Sequence, residues 1–326
     1  MNTAIIGNQG PDGGELGLVG VVVVSFNPDE GFAERLEAIH VLGGPLIVVD
    51  NSESADGRQR VAAACATVDA VLLANDRNLG IATALNQGTT WLRDRQYSWA
   101  LLFDQDSTPD PRFLSRLTES IRCDRAADLV AVVGGNFVDT GSGVPHRVLC
   151  RHWFPGLFRK QRIVSGDADV TMVITSGSLV RLAALEELAG FDDDLFIDYV
   201  DTDFCLRCLE RGYRVRLSAN AVFRHQFGDR SEERFLGIRL NPTNHSALRH
   251  YYIARNRIHM WRRHAWKIVH WATFDASSAL LWLIRVLLVE ESKRSKVRAM
   301  ILGAWDGLRG RLGPCPEARL RVLLRR

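Results

Sequence analysis

The sequence predicts an α/β protein built on a parallel sheet covered on both faces, with a helical extension at its C-terminal end. Three observations carry this. Short, wholly apolar runs alternate with amphipathic stretches, each apolar run ends in polar residues, and the composition turns basic and aromatic from His245 onward. Runs without polar alternation suit strands buried on both faces, the condition of parallel strands flanked by helices.

The elements follow in order. "MNTAIIGNQGPDGGELG" (1–17) is rich in Gly and lacks the basic and apolar regions of a signal peptide, so it reads as a flexible lead-in and the protein is expected in the cytosol. "LVGVVVVSFNP" reads as the first strand, stopped by Asn27 and Pro28, and "DEGFAERLEAIHVL" as the helix after it. The unit then repeats: "PLIVVDNS" strand, "RQRVAAACATV" helix, "DAVLLAND" strand, "IATALNQGTTWLRDRQ" helix, "SWALLFDQD" strand. "LVAVVGGNFVD" and "ADVTMVITSGSLVRLAALEEL" add further strands and a helix, while residues 151–167 fit no element. Ligands of such sheets bind beyond the carboxyl ends of the strands. Asn27, Asp50 with Asn51, Asn75 to Gly80, and Asp104 to Asp106 all fall there, so four successive strands deliver polar residues to one edge.

"LLFDQDSTPD" (101–110) runs a buried strand straight into two carboxylates. Charge beside such a run needs compensation. A divalent cation supplies it, and alternate residues of a chain that stays extended point the same way, so Asp104 and Asp106 can converge on one ion. Hard oxygen ligands favour Mg2+ or Mn2+, which usually also hold a substrate phosphate. A solvated turn capped by Ser107 and Thr108 is the plain structural reading of the same residues. Of the six cysteines only Cys205 and Cys208 form a C-x-x-C, inside a helical pattern, and they are expected as reduced core thiols rather than a zinc or redox site.

From His245 to the end, 17 Lys and Arg face 5 Asp and Glu, whereas the preceding residues hold 24 against 33. An acidic body with a basic tail suits an anionic surface as partner. No known recognition module accompanies the tail, which argues against nucleic acid. The run "ASSALLWLIRVLLV" is interrupted by Arg285 and is expected to fall short of the ~20 residues a spanning helix needs, so interfacial amphipathic helices and peripheral membrane contact are expected. Packing on the rest of the chain or on a second copy, giving a homo-oligomer, is the alternative.

"VVVVSFNP", "VVDNS", "NLGIATALNQG", "FDQDS", "SGSLVR", "FIDYVDTDFCLR" and "FRHQFGD", in this order, resemble the inverting family 2 glycosyltransferases. "FDQDS" and the later "YYIARNRI" resemble their bacterial rhamnosyltransferase branch, and the likeness spans about residues 18–260. The resemblance implies a GT-A type, Rossmann-like nucleotide-diphospho-sugar transferase fold with a C-terminal helical extension: lead-in 1–17, catalytic domain 18–244, basic and aromatic helical extension 245–326. It implies a nucleotide-sugar donor, dTDP-L-rhamnose first and UDP-galactofuranose as the alternative, and a glycan or glycolipid acceptor at the inner face of the cytoplasmic membrane. By the same resemblance Asp106 is the principal ligand of Mg2+ or Mn2+, Asp104 shares the ion or lies against the ribose, and His225 is a further ligand. Asp50 would accept the pyrimidine N3–H, with Asn27, Asn78, Gly80 and Asn86 completing the donor site. In "YVDTD", Asp201 matches the general base, but Val200 stands where the family usually has Glu, so that carboxylate is lost or displaced to Asp198. Asp198, Arg255 and Asn256 are candidate acceptor-site residues. Structurally, Asp198, Asp201 and Asp203 also read as helix N-terminal acids, and Arg207 can pair with Asp203 at i, i+4 spacing.

"FDQDST" fits a rival phrase as well, the D-x-D-x-T of haloacid-dehalogenase-type phosphatases, in which Asp104 would be the nucleophile. That motif opens the first strand of its fold, whereas here it closes the fourth. A non-catalytic nucleotide-sugar sensor would keep Asp50 and Asp106 and leave Asp201 idle.

Overall fold

The computed structural model describes residues 16–139, 148–149, 166–225, 233–235, 238–240 and 245–324. The chain divides into two units: residues 1–151, 161–193 and 200–226 form the first, and 152–160, 194–199 and 227–326 the second.

In the first unit the chain runs β1 (Val19–Ser25), α1 (Phe32–His40), β2 (Leu46–Asp50), α2 (Ala55–Thr67), β3 (Val71–Ala74), α3 (Ile81–Arg93), β4 (Trp99–Asp104), β5 (Ser107–Pro109), α4 (Phe113–Arg122), β6 (Val130–Asp139), β7 (Ala168–Asp169), β8 (Ser178–Arg181), α5 (Leu182–Glu187), α6 (Val200–Glu210) and β9 (Arg214–His225). The sheet order is β3-β2-β1-β4-β8-β6-β9-β5, with β7 on β9. Strands β3, β2, β1 and β4 are parallel, as the alternation of runs predicts. The far half is mixed, because β8 runs antiparallel to both β4 and β6, and β5 antiparallel to β9. Among the described residues no helix separates β6 from β8, and strands joined without a crossover helix pair antiparallel.

Every residue of β1 and β2 is buried, and each Val or Ile so buried contributes roughly 1.5–3 kcal/mol. Helix α1 turns Phe32, Leu36 and Ile39 inward at helical spacing. Ser54 caps α2, its Oγ accepting from the Gly57 N–H at 3.0 Å. Helix α3 crosses the sheet closely at Gly88, where a Cβ would lie 2.4 Å from a Val22 methyl. Cys205 and Cys208 are free and buried on α6, and burial pushes the Cys205 thiol up to about 12, which suits core packing.

The second unit carries the hairpin β10 (Glu233–Phe235) and β11 (Ile238–Leu240), then α7 (Ala247–His264), α8 (Val269–Leu288), α9 (Lys293–Leu308) and α10 (Glu317–Leu324). Tyr251, Tyr252, Ala299 and Leu323 form its core, with Phe196 and Ile197 of the segment 194–199 packed against them. Helices α7 and α9 meet backbone to backbone through Gly303 and Gly307: a Cβ on the first would lie 2.2 Å from Tyr251 O, on the second 2.5 Å from Arg255 O. Gly303→Ala should therefore force the helices apart and lower stability by about 1–3 kcal/mol, the usual cost of overpacking. A denaturant melt measures it, and an unchanged midpoint would contradict the close approach.

Helix α8 corrects one expectation. The apolar run does not fall short: the helix begins back at Val269, includes Trp271 and Phe274, passes Arg285 without a break and reaches 20 residues, long and apolar enough to cross a membrane by length and composition. Leu280, Leu281, Leu283, Leu287 and Leu288 are exposed on it, while Trp271, Asp275 and Val286 are buried.

Candidate active site

The parallel register brings the strand ends level, with Ser25 beside Asp50, Asp50 beside Ala74, and Val24 beside Asp104. The chain proceeds from β1 outward to β2 and β3, then returns to place β4 on the other side of β1. The gap between β1 and β4 is thus a topological switch point, where open α/β sheets bind ligands.

Asp50 is buried there. Its Oδ1 accepts from Ser25 Oγ (2.9 Å), the Ser52 N–H (3.0 Å) and Ser52 Oγ (2.6 Å). One oxygen takes all three bonds, which fixes the plane of the carboxylate. Asn27 stands at positive φ just after β1, and its Oδ1 accepts from the backbone N–H groups of Glu53 and Ser54 and from Ser54 Oγ, tying the end of β1 to the cap of α2. Asn78 Oδ1 accepts from the Gly80 N–H (2.9 Å), and Gly80, at φ +87°, opens α3. The Gly80 carbonyl accepts from Asn51 Nδ2 (3.1 Å), and Asn51 Oδ1 accepts from Asn75 Nδ2 (2.9 Å). Asn86 faces another partner. Its Nδ2 donates to Phe191 O and Asp193 Oδ1, both at 2.9 Å, and its Oδ1 accepts from the Phe191 N–H at 2.8 Å.

The two aspartates of "FDQDS" are not held by an extended strand. Strand β4 ends at Asp104, the chain turns through Gln105 and Asp106, and β5 starts at Ser107. The turn is fixed on three sides. Phe26 N–H donates to Gln105 Oε1 (2.7 Å) while Gln105 Nε2 donates to Phe26 O (3.2 Å), so the Gln side chain pairs with the end of β1 as a further strand would. Arg35 Nε donates to the Gln105 carbonyl (2.8 Å), and the Asp104 N–H donates to Ser176 Oγ (3.1 Å), which also bonds Ser107 Oγ (2.6 Å). Gln105 and Ser176 thus hold the carboxylate turn, and neither was singled out as a site residue although both lie in the quoted motifs "FDQDS" and "SGSLVR". Beside Ser176, Gly177 stands at φ +73°, where a Cβ would strike Phe223 at 2.5 Å.

Two carboxylates, completed by the phosphate oxygens of a substrate, would be a donor set that fits Mg2+ or Mn2+. Among the described residues no group of three or more His, Cys, Asp or Glu could hold a metal by itself. His225 pairs through its backbone with Ser107, directly after the turn, and its side chain lies outside the described residues.

Asp201 sits in the first turn of α6, and its Oδ1 accepts from the Thr202 N–H (2.6 Å) and Thr202 Oγ1 (3.2 Å). It borders an open cleft whose other walls include Asn136, Phe137, Leu149, Met172 and Ile174. Asp203 is wholly buried and pairs with Arg207 (Nε to Oδ2, 2.6 Å), whose other nitrogens donate to Leu188 O and Gly190 O. That ion pair is the one the i, i+4 spacing predicts.

The three candidate acceptor residues lie in the second unit. Asp198 pairs with Arg249 at 3.0 Å. Arg255 and Asn256 are fully buried, and their side-chain nitrogens donate to backbone carbonyls or, for Arg255 Nε, to Asn256 Oδ1. Touching an acceptor would require both to leave these partners.

An open α/β sheet with a carboxylate turn at its switch point, and a further carboxylate on a helix beside a cleft, has the parts a group-transfer enzyme needs. Residues 21–189 match Glycosyl transferase family 2, and the chain belongs to that family and is a glycosyltransferase. Membership removes the phosphatase reading, since Asp104 closes the fourth strand of a glycosyltransferase sheet. The curated dTDP-rhamnosyl transferase RfbF of Shigella flexneri is 28% identical over 299 residues, covering 90% of this chain and 96% of that protein. Among solved structures, S. aureus TarS 1–349 in complex with UDP-GlcNAc matches with TM-score 0.54 at 14% identity, over 94% of this chain and 83% of that one. Mannosyltransferase PcManGT from Pyrobaculum calidifontis, in complex with GDP-Man and Mn2+, matches with TM-score 0.52 at 15% identity, over 89% and 86%. These likenesses establish the GT-A-like fold.

Proposed function

We propose that the chain transfers L-rhamnose from dTDP-L-rhamnose, with inversion, to a hydroxyl of a glycan or glycolipid of the cell envelope. The observation that carries this is the near end-to-end likeness to a dTDP-rhamnosyl transferase in a chain with Asp50, Asp104 and Asp106 at the sheet edge and Asp201 at the start of α6. Asp50, its plane fixed through Oδ1, accepts the N3–H of the pyrimidine. The donor diphosphate lies at the turn of Asp104 and Asp106. A bound Mg2+ or Mn2+, held by Asp106 with Asp104 and with His225 as a further ligand, would supply positive charge against the diphosphate as it departs. The acceptor oxygen forms its bond to the anomeric carbon from the face opposite the diphosphate oxygen, whose bond breaks with its electron pair. Asp201 takes the proton the acceptor oxygen loses. Alignment of the two reactants beside a fixed carboxylate lowers the barrier further.

A peripheral position at the inner face of the cytoplasmic membrane fits the exposed leucines of α8 and the exposed Lys293, Arg294 and Arg298 that follow them. Calorimetric titration with dTDP, UDP and GDP, each with and without Mg2+ or Mn2+, tests the donor. Tight, metal-dependent binding of dTDP is expected. Preference for UDP would overturn rhamnose in favour of a donor such as UDP-galactofuranose, and no metal-dependent binding of any of the three would overturn the diphosphate site.

A further inference from the structure

The segment Asp194–Tyr199 is bound where its neighbours in sequence are not. The chain leaves the first unit at Asp193, contributes six residues to the second and re-enters the first at Val200, where α6 begins; Asp201 is two residues beyond the segment. Three of the six residues, Phe196, Asp198 and Tyr199, hold φ between 61° and 67° without being glycine. Left-handed backbone in side-chain-bearing residues persists only where surrounding contacts enforce it, and such positions gather at functional sites.

The enforcing contacts come from α7. Asn256 Nδ2 donates to three carbonyls, Leu195 (2.9 Å), Ile197 (2.7 Å) and Asp198 (3.1 Å). Arg255 Nη2 donates to Asp194 O (3.3 Å) and Leu195 O (3.2 Å), and its Nη1 to Gly313 O. Arg255 Nε donates to Asn256 Oδ1 at 2.9 Å, so the two side chains fix each other. Phe196 stacks on Tyr252 with ring centroids 5.2 Å apart, Arg249 pairs with Asp198, and Tyr199 Oη donates to the buried Asp275, which also accepts from Arg257 and Trp261. In the first unit, the flanks are tied down too: Asn86 holds Phe191 and Asp193 before the segment, and Arg207 of α6 holds Leu188 and Gly190.

We propose that Arg255 and Asn256 are positioning residues: they clamp the backbone of residues 194–198 and thereby fix the strap from which the helix carrying Asp201 starts. This rests on the reading of Asp201 as the base. Five of the pair's bonds go to carbonyls of residues 194–198, the backbone that leads into Asp201, with Arg255 Nη1 adding Gly313 O, and both side chains are fully buried. A helix that starts from a wandering strap would carry its carboxylate away from the acceptor hydroxyl, and a misplacement of about 1 Å costs on the order of a hundredfold in rate.

Asn256→Asp tests the clamp on the full chain. It keeps the oxygen that Arg255 Nε needs and removes the N–H groups that hold three carbonyls. Two readouts are taken together: amide hydrogen exchange of the peptide covering 194–203, and turnover, measured as dTDP released from dTDP-L-rhamnose with a membrane lipid fraction as acceptor. Exchange in that peptide should rise at least about tenfold, and kcat should fall on the order of a hundredfold, while calorimetric affinity for dTDP with Mg2+ stays within about twofold. Phe196→Gly serves as the second variant, because glycine adopts the native φ freely and the change removes the stack on Tyr252 and the packing on the core around it while leaving the bonds of Arg255 and Asn256 in place; the same pattern is expected in weaker form. Unchanged exchange in both variants overturns the clamp. Raised exchange with unchanged kcat overturns its link to catalysis, and loss of dTDP affinity in step with kcat shows general damage and overturns it likewise. Asp201→Asn separates the two readings: full transfer in that variant removes the base assignment, whereas the exchange result stands by itself.

Discussion

Replacing Asp201 by Asn is expected to cut transfer by about 10²–10⁴-fold, the range a positioned general base supplies, with nucleotide affinity unchanged. The substitution isolates the proton-accepting function. Asn keeps an oxygen at Oδ1 to receive the Thr202 N–H and Oγ1 bonds. What it loses is the ability to take a proton from an acceptor hydroxyl. The competing role for an acid in the first turn of α6 is to stabilise the helix N-terminus, which is worth roughly 0.3–1 kcal/mol. Asn is itself well suited to helix starts. A capping role therefore predicts near-normal transfer and a slightly shifted melt, and a catalytic role predicts a lost kcat and an almost unchanged melt. Single-turnover transfer alongside dTDP calorimetry separates them; transfer within a few-fold of wild type would return Asp201 to the helix.

How far the sequence discloses this site depends on the range of the interactions involved. The four parallel strands were legible because each apolar run ends in Asn or Asp and is followed by a periodic helix, so the edge that gathers Asn27, Asp50, Asn75 and Asp104 could be drawn before any coordinates. The direction of β8 was not, since nothing local to Ser178–Arg181 tells a strand which way its neighbour runs. Asp104 and Asp106 stood out by their charge. Gln105 did not, although it is the residue that pairs with Phe26, because its partner lies 79 positions away. Asn86 was read as part of the segment over the nucleotide, and nothing local to it disclosed its bonds to Phe191 and Asp193, more than a hundred positions on. The strap is the extreme case: its backbone conformation depends on Arg255 and Asn256, about sixty residues later, and local propensity is silent on such contacts. Gly303 and Gly307 show the converse, a spacing visible in the sequence whose meaning appears only once the backbone of α7 lies against it.

Asp106→Ala should abolish the metal-dependent part of nucleoside diphosphate binding, a loss of at least about 10–100-fold, larger than or equal to what disturbing a ligand's supporting contacts costs. The reasoning starts from what the substitution leaves alone. The turn is held from outside residue 106: by Gln105 on the Phe26 backbone, by Arg35 on the Gln105 carbonyl, and by Ser176 on the Asp104 N–H and Ser107 Oγ. Strand β5 stays registered on β9 through Ser107 and His225. A methyl at 106 therefore changes the donor set and little of the backbone. With a single carboxylate left, a cation that prefers several oxygen ligands and gives up water reluctantly gains too little to stay with the diphosphate. Calorimetry with dTDP should then give the same weak affinity with and without Mg2+ or Mn2+, while wild type shows the two apart. A metal increment of wild-type size in Asp106→Ala would place the ligands elsewhere and leave Asp106 as a turn residue. Equal loss of the metal-free affinity would mean that the turn itself had moved, a result the anchoring of Gln105 and Ser107 argues against.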